Sequence, residues 1–528
     1  MRLETFFENF EQIAETPNGV AKMRELVLQL AVQGKLVEQE SNDESAKILF
    51  EHIQKTKTRL INERTIKRQD TELILDDEPS FSIPSSWVWT RLGEIGDWGS
   101  GSTPSRGNYE LYGGGIMWLK SGELNDNQAL ASSEETVSEL ALETGSFRRN
   151  QPGDVLLAMY GATIGKVAIL VKPAVTNQAV CGCTPFEGVL NRYLFNYLVS
   201  QRANFHSASE GGAQPNISKV KIVSFPFPLP PLAEQKRIVA KVDELMVLCD
   251  QLEAQQQERD RRHAALARAS LARFADAPTA ANLQLLFQDS FTIPPADLRK
   301  AILTLAVQGK LVPQDPNDEP AFEQKGDGFL SDHPPNWCSG TVFDLAVLKS
   351  GNSFPSEMEL EDGEYLYVKV SDMNLPENQH EITTSSHFIT PDQNALKSLI
   401  PSGSIIFPKR GGAIATNKKR LVRRPLFVDT NTMAMTCPPF IELRYLHIWF
   451  LGIDLWELNS GTSVPQINNK DIGPLLVPVP PIPEQRRIVA KVDQLMVLVD
   501  LLEAQLIASR ATAEKLMEAV VMELIAQD

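Results

Sequence analysis

Pro230–Leu248 reads PPLAEQKRIVAKVDELMVL, and Pro480–Leu498 reads PPIPEQRRIVAKVDQLMVL. Extended to Pro230–Gln255 and Pro480–Gln505, the two stretches are identical at 20 of 26 positions, with a constant offset of 250. The stretch predicts a long helix. Apolar residues at Ile238, Val242, Leu245, Cys249 and Leu252 step by four and three, as do Ile488, Val492, Leu495, Val499 and Leu502. Proline is absent inside both helices and dense just before them, in FPFPLPPL and VPVPPIP, a stiff entry to a helix start. Such helices need a partner for their seams. Pairing with each other would make them a rigid antiparallel spacer.

The duplication reaches outward from these helices. AVQGKLV stands at Ala31–Val37 and again at Ala306–Val312, offset by 275. Trp87 matches Trp337, Gly153 matches Gly403 and Pro215 matches Pro465, each at an offset of 250. The extra 25 residues of the first half coincide with a charged, helix-like insert, AKILFEHIQKTKTRLINERTIKRQD. Each half therefore reads as short helix, variable domain and long helix. The short helices end at Gly34 and Gly309, where glycine supplies the left-handed conformation.

These marks divide the chain into 1–83, an N-terminal helical segment with its insert, and 84–228, a first variable domain. There follow 229–277, the central long helix, and 278–333, a repeat of the N-terminal segment. A second variable domain spans 334–478 and the C-terminal long helix 479–528. The variable domains mix strand-like runs (GDVLLAM, KVAILV, SIIFPK, TMAMT) with the helical NRYLFNYLVSQ and LRYLHIWFLG. The expected class is α+β, two mixed domains separated by two long helices with a pseudo-twofold repeat.

Bulk properties narrow the function. With 42% hydrophobic and 22% charged residues among 528, the chain reads as globular. It has no uncharged run long enough for a bilayer, and its acidic start lacks the order of a secretory signal. Five scattered cysteines fit reduced thiols, and a cytoplasmic location is expected. The formal charge of −16 excludes a surface coated in positive potential, but nucleic-acid binding needs only a local basic face.

Gly403–Val428 supplies such a tract, with seven basic residues and no Asp or Glu: Lys409, Arg410, Lys418, Lys419, Arg420, Arg423 and Arg424. Basic groups of this kind neutralise phosphates, and base readout needs Arg, Lys, Asn or Gln at base edges, with Arg410 and Asn417 as candidates. A solvated, positively charged loop pair is the other reading. In the first domain YGATIGKVAIL fails as a phosphate loop, because Gly161 and Gly165 are too close and Val167 stands where Ser or Thr should bind magnesium. It reads as a glycine-rich turn flanked by Tyr160, Thr163 and Lys166, either near DNA or a plain strand connection. TCPPF at Thr436–Phe440 lacks the Asn or Asp with which an adenine methyltransferase holds a flipped base. CTPF at Cys183–Phe186 is further from that pattern. No catalytic or metal constellation is expected.

Taken with the paired long helices, the paired AVQGKLV, and SGSTP, WLKSGEL and YGATIGKVAIL in the first domain, the sequence resembles the specificity subunit of type I restriction–modification enzymes. YVKVSDM corresponds to WLKSGEL, pairing Lys120 with Lys369. KRGGAIATN departs further from its counterpart. The resemblance implies that each variable domain reads one half of a bipartite, asymmetric site on double-stranded DNA. The helices would set the unread gap. It implies two modification subunits docked on the repeats, bringing S-adenosylmethionine, and restriction subunits using ATP and magnesium. This chain itself would hold no cofactor. Expected DNA contacts are Ser100, Lys120, Tyr160, Thr163, Lys166, Lys369, Lys409, Arg410, Asn417, Lys418, Lys419 and Arg420. Expected docking residues are Lys35, Leu36, Lys310, Leu311, Glu234, Arg237, Glu484 and Arg487. Three competing classes are a fused methyltransferase–endonuclease, a coiled-coil adaptor with no nucleic-acid role, and an anti-restriction or phage-defence relative on the same scaffold.

Overall fold

The computed structural model describes residues 18–68, 81–211, 215–287, 291–322, 333–461 and 464–526. The acidic start and the last two residues of the insert (69–70) lie outside them. The principal helices of the first half are α1 (Gly19–Val32), α2 (Ala46–Asn62), α3 (Asn191–Ser200) and α4 (Leu232–Asp276). Those of the second half are α5 (Pro295–Val307), α6 (Leu443–Leu451) and α7 (Ile482–Ala526). Both α4 and α7 run for 45 residues, about 68 Å at the standard helical rise. The chain forms two compact units, 1–257 with 509–528, and 258–508. Each unit thus holds the start of one long helix and the end of the other.

Within the first unit, Ile238, Val242, Leu245 and Cys249 of α4 are buried in one core with Met23, Leu26, Val27 and Leu30 of α1 and Tyr193 and Leu194 of α3. In the second unit Ile488, Val492, Leu495 and Val499 of α7 share a core with Leu298, Ile302 and Leu305 of α5 and Tyr445 and Leu446 of α6. The opening half of each seam is therefore buried by its own short helix and domain. These are amphipathic faces close in the same half. Ion pairs lock the arrangement: Arg24 contacts Asp250 and Glu253 at 2.6 and 2.7 Å, and Arg299 contacts Asp500 and Glu503 at 2.6 Å each.

The turn after each short helix is fixed by glycine. Gly34 and Gly309 adopt φ of +72° and +69°, and a Cβ there would meet Pro84 or Pro334 at 2.5 or 2.6 Å. The insert helix α2, capped by Ser45, buries Leu49 and Ile53 and sends Lys57 to Glu94 at 2.8 Å and to the Gly93 carbonyl at 3.1 Å.

Each variable domain hangs on a two-stranded antiparallel ribbon, Val88–Arg91 with Pro226–Leu229 and Cys338–Thr341 with Leu476–Val479. The main sheet of the first domain runs, in spatial order, Gly96–Ser100, Val180–Pro185, Val155–Ala158, Val167–Leu170 and Asn127–Leu130. That of the second runs Val347–Ser350, Thr432–Thr436, Ser404–Pro408 and Arg420–Val422. Register corresponds strand by strand: Val155 opposes Cys183 as Ile405 opposes Met435. Leu156 opposes Ala168 and Ile406 opposes Arg420, so the connection between these strands is two residues longer in the second domain. A smaller sheet centres on Tyr112–Leu119 in one domain and Tyr365–Val368 in the other, each pairing parallel with a later strand. TCPPF ends a strand and enters a turn, as its sequence predicts.

Candidate nucleic-acid interface

The corresponding strands of the small sheets end at Leu119 and Val368, one residue before Lys120 and Lys369. Each lysine's backbone N–H donates to a carboxylate three residues on, Glu123 at 2.9 Å and Asp372 at 2.8 Å, which fixes a tight turn. The ring two residues earlier lies beneath each ammonium, Trp118 at 5.9 Å and Tyr367 at 5.5 Å. Trp118 donates to the Ser102 carbonyl and Tyr367 to the Asn352 carbonyl, positions 250 apart. Neither ammonium stands alone, since Lys120 meets Glu135 at 2.6 Å and Lys369 meets Glu359 at 2.7 Å. Ser100 lies exposed at the end of its strand, opposite Cys181.

The two glycine-containing turns are built alike. The N–H of Gly161 donates to the Pro215 carbonyl and that of Gly411 to the Pro465 carbonyl, both at 2.8 Å. Tyr160 bridges Asn216, and Arg410 bridges Gln466. Tyr160 and Arg410 are exposed at equivalent places, and the Thr163 hydroxyl donates back to the Tyr160 carbonyl at 2.7 Å. Lys166 donates to Asn125, and Lys418, two residues further along in its longer turn, donates to Asn374. Lys409 is half-buried, donates to Ser350 at 2.9 Å, and is held below the usual lysine range by burial and then by Arg410.

One expected DNA contact, Lys419, is corrected, and two beside it, Asn417 and Arg420, are half-buried. Lys419 is 1% exposed, its ammonium enclosed by the Asn417 side-chain oxygen at 2.8 Å, the Ile453 carbonyl at 2.6 Å and the Phe450 ring at 5.0 Å. Burial pushes it down to about 7. Asn417 sits at φ +50° and spends its side-chain oxygen on Lys419 and on the Leu455 N–H. Arg420 turns inward and donates to the carbonyls of Lys419 and Met373. Lys419 therefore builds the second domain instead of facing outward, and the hydrogen bonds of Asn417 and Arg420 to it help to hold it there.

The expected docking residues are also partly redirected. Glu234 and Glu484 are buried, and each accepts the indole N–H of its own half's tryptophan, Trp87 at 2.9 Å and Trp337 at 3.0 Å. Their other oxygens accept from Gln39 and Gln314 at 2.5 and 2.6 Å. Leu36 and Leu311 are buried as well. Arg237 and Arg487 pair with Asp43 and Asp318 at 2.7 Å each. Lys35 is half-buried and Lys310 exposed. The repeated motif is thus a collar that fastens helix, domain and connecting loop, because carboxylates buried this deeply require donors from their own chain.

Residues 84–259 and 334–509 each match the model of the type I restriction modification DNA specificity domain. The chain belongs to this family. The EcoAI specificity subunit of Escherichia coli is 26% identical over 539 residues, covering 90% of this chain and 89% of the relative. The EcoEI specificity subunit of E. coli is 31% identical over 328 residues, 58% of this chain and 54% of the relative. A chain from a solved structure concerned with complex assembly and conformational transition of the type I R-M system shares the fold, with a TM-score of 0.50 and 20% identity. The match covers 84% of this chain and 99% of that one.

In the first specificity domain the carboxylate beside Lys120 has a second cation that motif reading passed over. Arg106 reaches Glu135 at 2.6 Å and lies over the rings of Tyr112 and Trp118 at 4.9 and 5.2 Å. Arg106 first, then Lys120, pulls Glu135 down to about 2. The signal was present as RGNYELY, an arginine interleaved with tyrosines, but it repeats nowhere in the second specificity domain. Cys181 and Cys183 are buried side by side along one strand, with burial pushing Cys181 up to about 12, so neither is a ready nucleophile.

Proposed function

We propose that this chain is the noncatalytic specificity subunit of a type I restriction–modification complex, each specificity domain reading one half of a bipartite, asymmetric DNA sequence. The observation that carries the reading is the contrast between frame and surface. The collar repeats bond for bond, from Trp87–Glu234 and Trp337–Glu484 to the Gln235 and Gln485 side chains that bind Leu190 and Glu442 backbone N–H groups at 2.9 and 2.7 Å. The outward residues differ, with Tyr160 in one domain where Arg410 stands in the other. Like frames suit identical partners, and unlike surfaces suit different half-sites.

In this reading Ser100, Lys120, Tyr160, Thr163 and Lys166 face DNA in the first domain, and Lys369, Lys409, Arg410 and Lys418 in the second. Lysines and arginines of this kind position a duplex through its phosphates, and base edges are read by the few side chains that reach the groove. Two modification subunits dock on the repeated frames and bring S-adenosylmethionine. Restriction subunits with ATP and magnesium join through them. Exposed apolar pairs at equivalent places on α4 and α7, Val247–Leu248 and Val497–Leu498, are the docking faces, alongside Lys35 and Lys310. The long helices set the unread gap.

Mapping methylated adenines in host DNA with this locus present and absent tests the reading. A bipartite motif whose modification depends on the locus is expected. Exchanging 84–228 for another specificity domain should then change one half of that motif. No locus-dependent motif, or a change in both halves, would count against the reading.

A further inference from the structure

One segment of the shared fold differs sharply in charge between the two domains, formally neutral in the first, where Arg106 offsets Glu110, and strongly acidic in the second. In the first, SRGNYELYGGG (Ser105–Gly115) runs into the opening residues of the strand Tyr112–Leu119 that precedes Lys120. The turn is closed by the Asn108 N–H on the Ser105 carbonyl at 3.1 Å, and the Tyr112 hydroxyl ties it to the Pro104 carbonyl at 2.8 Å. Leu111 anchors it in a small core with Trp118 and Val137. On this fixed base Tyr109 projects with 86% of its surface exposed, more than any other large apolar side chain among the described residues. Arg106 is held beside it by Glu135 and two aromatic rings. Gly113 and Gly115, at φ of +82° and +84°, have open space where a Cβ would point. Together Arg106, Tyr109, Tyr112, Gly113, Glu135 and Thr136 line an open cleft of about 380 Å³.

The corresponding segment of the second domain, Ser356–Tyr365, reads SEMELEDGEY. Five of its ten residues are carboxylates, of which Glu359 neutralises Lys369. Such a segment repels a phosphate backbone. Cations of this domain stand outside the segment, Lys409, Arg410 and Lys418 among them at the longer turn.

We propose that the Ser105–Gly115 turn is a further element, beside the Tyr160–Lys166 turn, with which the first domain engages DNA, Tyr109 packing against bases and Arg106 meeting the adjacent phosphate, while the second domain relies on the Lys409–Lys418 turn. An aromatic presented beside a cation, with bare glycine backbone allowing close approach, matches the chemistry of a stacked base and its flanking phosphate. The two half-sites would then be read by partly different elements of one fold. This rests on the specificity reading and names the residues that perform it.

The test is methylome mapping in the native host, with the full chain in its complex, comparing wild type, Tyr109→Ala, Arg106→Gln, Glu361→Gln and Arg410→Gln. Tyr109→Ala alters only an exposed side chain, and an unchanged melting temperature confirms folding. Tyr109→Ala and Arg106→Gln are each expected to lower the methylated fraction at least fivefold or to relax one half of the motif, leaving the other half intact. Arg410→Gln should affect the opposite half, and Glu361→Gln neither. An unchanged motif and methylated fraction in both first-domain variants would overturn the proposal, as would loss of the second half in Glu361→Gln. If deleting the locus leaves host methylation unaltered, the specificity reading itself fails and this inference with it.

Discussion

Trp87 donates its indole N–H to the buried carboxylate of Glu234 across 147 residues of sequence, and Trp337 does the same to Glu484 across the same separation. Burial raises both carboxyls above the ordinary range, and the tryptophan and glutamine donors oppose that rise. Each bond joins the foot of a variable domain to the first turn of a long helix. There the helix dipole also favours negative charge.

Trp87→Phe and Trp337→Phe should therefore cost nearly equal amounts, about 2 kcal/mol each, because a buried acceptor loses its donor while the packing volume is mostly kept. A raised carboxyl gives its stability below the unfolded value and loses it as pH rises through the folded value, since the proton is held more tightly in the folded state. Removing the indole raises it further. Both variants should then be most destabilised near neutral pH and approach wild type toward pH 4. Equal losses at every pH would show that the bond to the charged form is not the source.

Lys419 supplies a second pH signature. Its folded value of about 7 lies below the 10.5 of an ordinary lysine, so the unfolded chain binds more protons between the two. The destabilisation is complete below pH 7 and is relieved as pH rises toward 10. Lys419→Met should remove this slope and be more stable than wild type at pH 6, as read by thermal melting across that range. A slope unchanged by the substitution would assign it to another group.

The two-part frame was legible because exact repetition at fixed offsets needs no folding calculation, and helix, strand and turn positions followed from periodicity. Side-chain direction was less legible, though two signals were there. Glu234 is four residues before Ile238, which puts it on the buried seam itself, and Glu484 precedes Ile488 in the same way. Lys419 is two residues before the buried Leu421, so strand alternation carries it inward within what reads as a basic run. The seam's partner was hidden for another reason. An amphipathic helix declares an apolar face but not which neighbour covers it, and the short helices α1 and α5 were available within each half. The Arg106–Glu135–Lys120 cluster joins residues from separate segments that no motif links.

Glu135 tests how that cluster is tuned. It holds two cations, and its folded value of about 2 means that its stabilising contribution is present above about pH 4.5 and fades as pH falls toward 2. Glu135→Gln releases a net positive charge at neutral pH. Retention of a mixed-sequence duplex by the assembled complex should rise at low salt, with a log–log salt dependence steeper by about one. Weaker retention would mean that the carboxylate orients Arg106 and Lys120 for contact and that neutralising them is secondary.

The last prediction concerns the long helices. Four residues inserted after Gln255 and four after Gln505 add ~6 Å of rise and rotate the remainder of each helix by ~40°, since a helical turn holds about 3.6 residues. The apolar faces beyond each insertion stay nearly in line. At ~3.4 Å per base pair the unread gap should lengthen by one or two base pairs, with both half-sites unchanged. Two-residue insertions rotate the distal segment by ~200°, carry its apolar face toward water and should abolish modification. Methylome mapping reads both outcomes in one experiment. A gap that keeps its length after the four-residue insertions, with modification intact, would show that something other than α4 and α7 sets the separation of the half-sites.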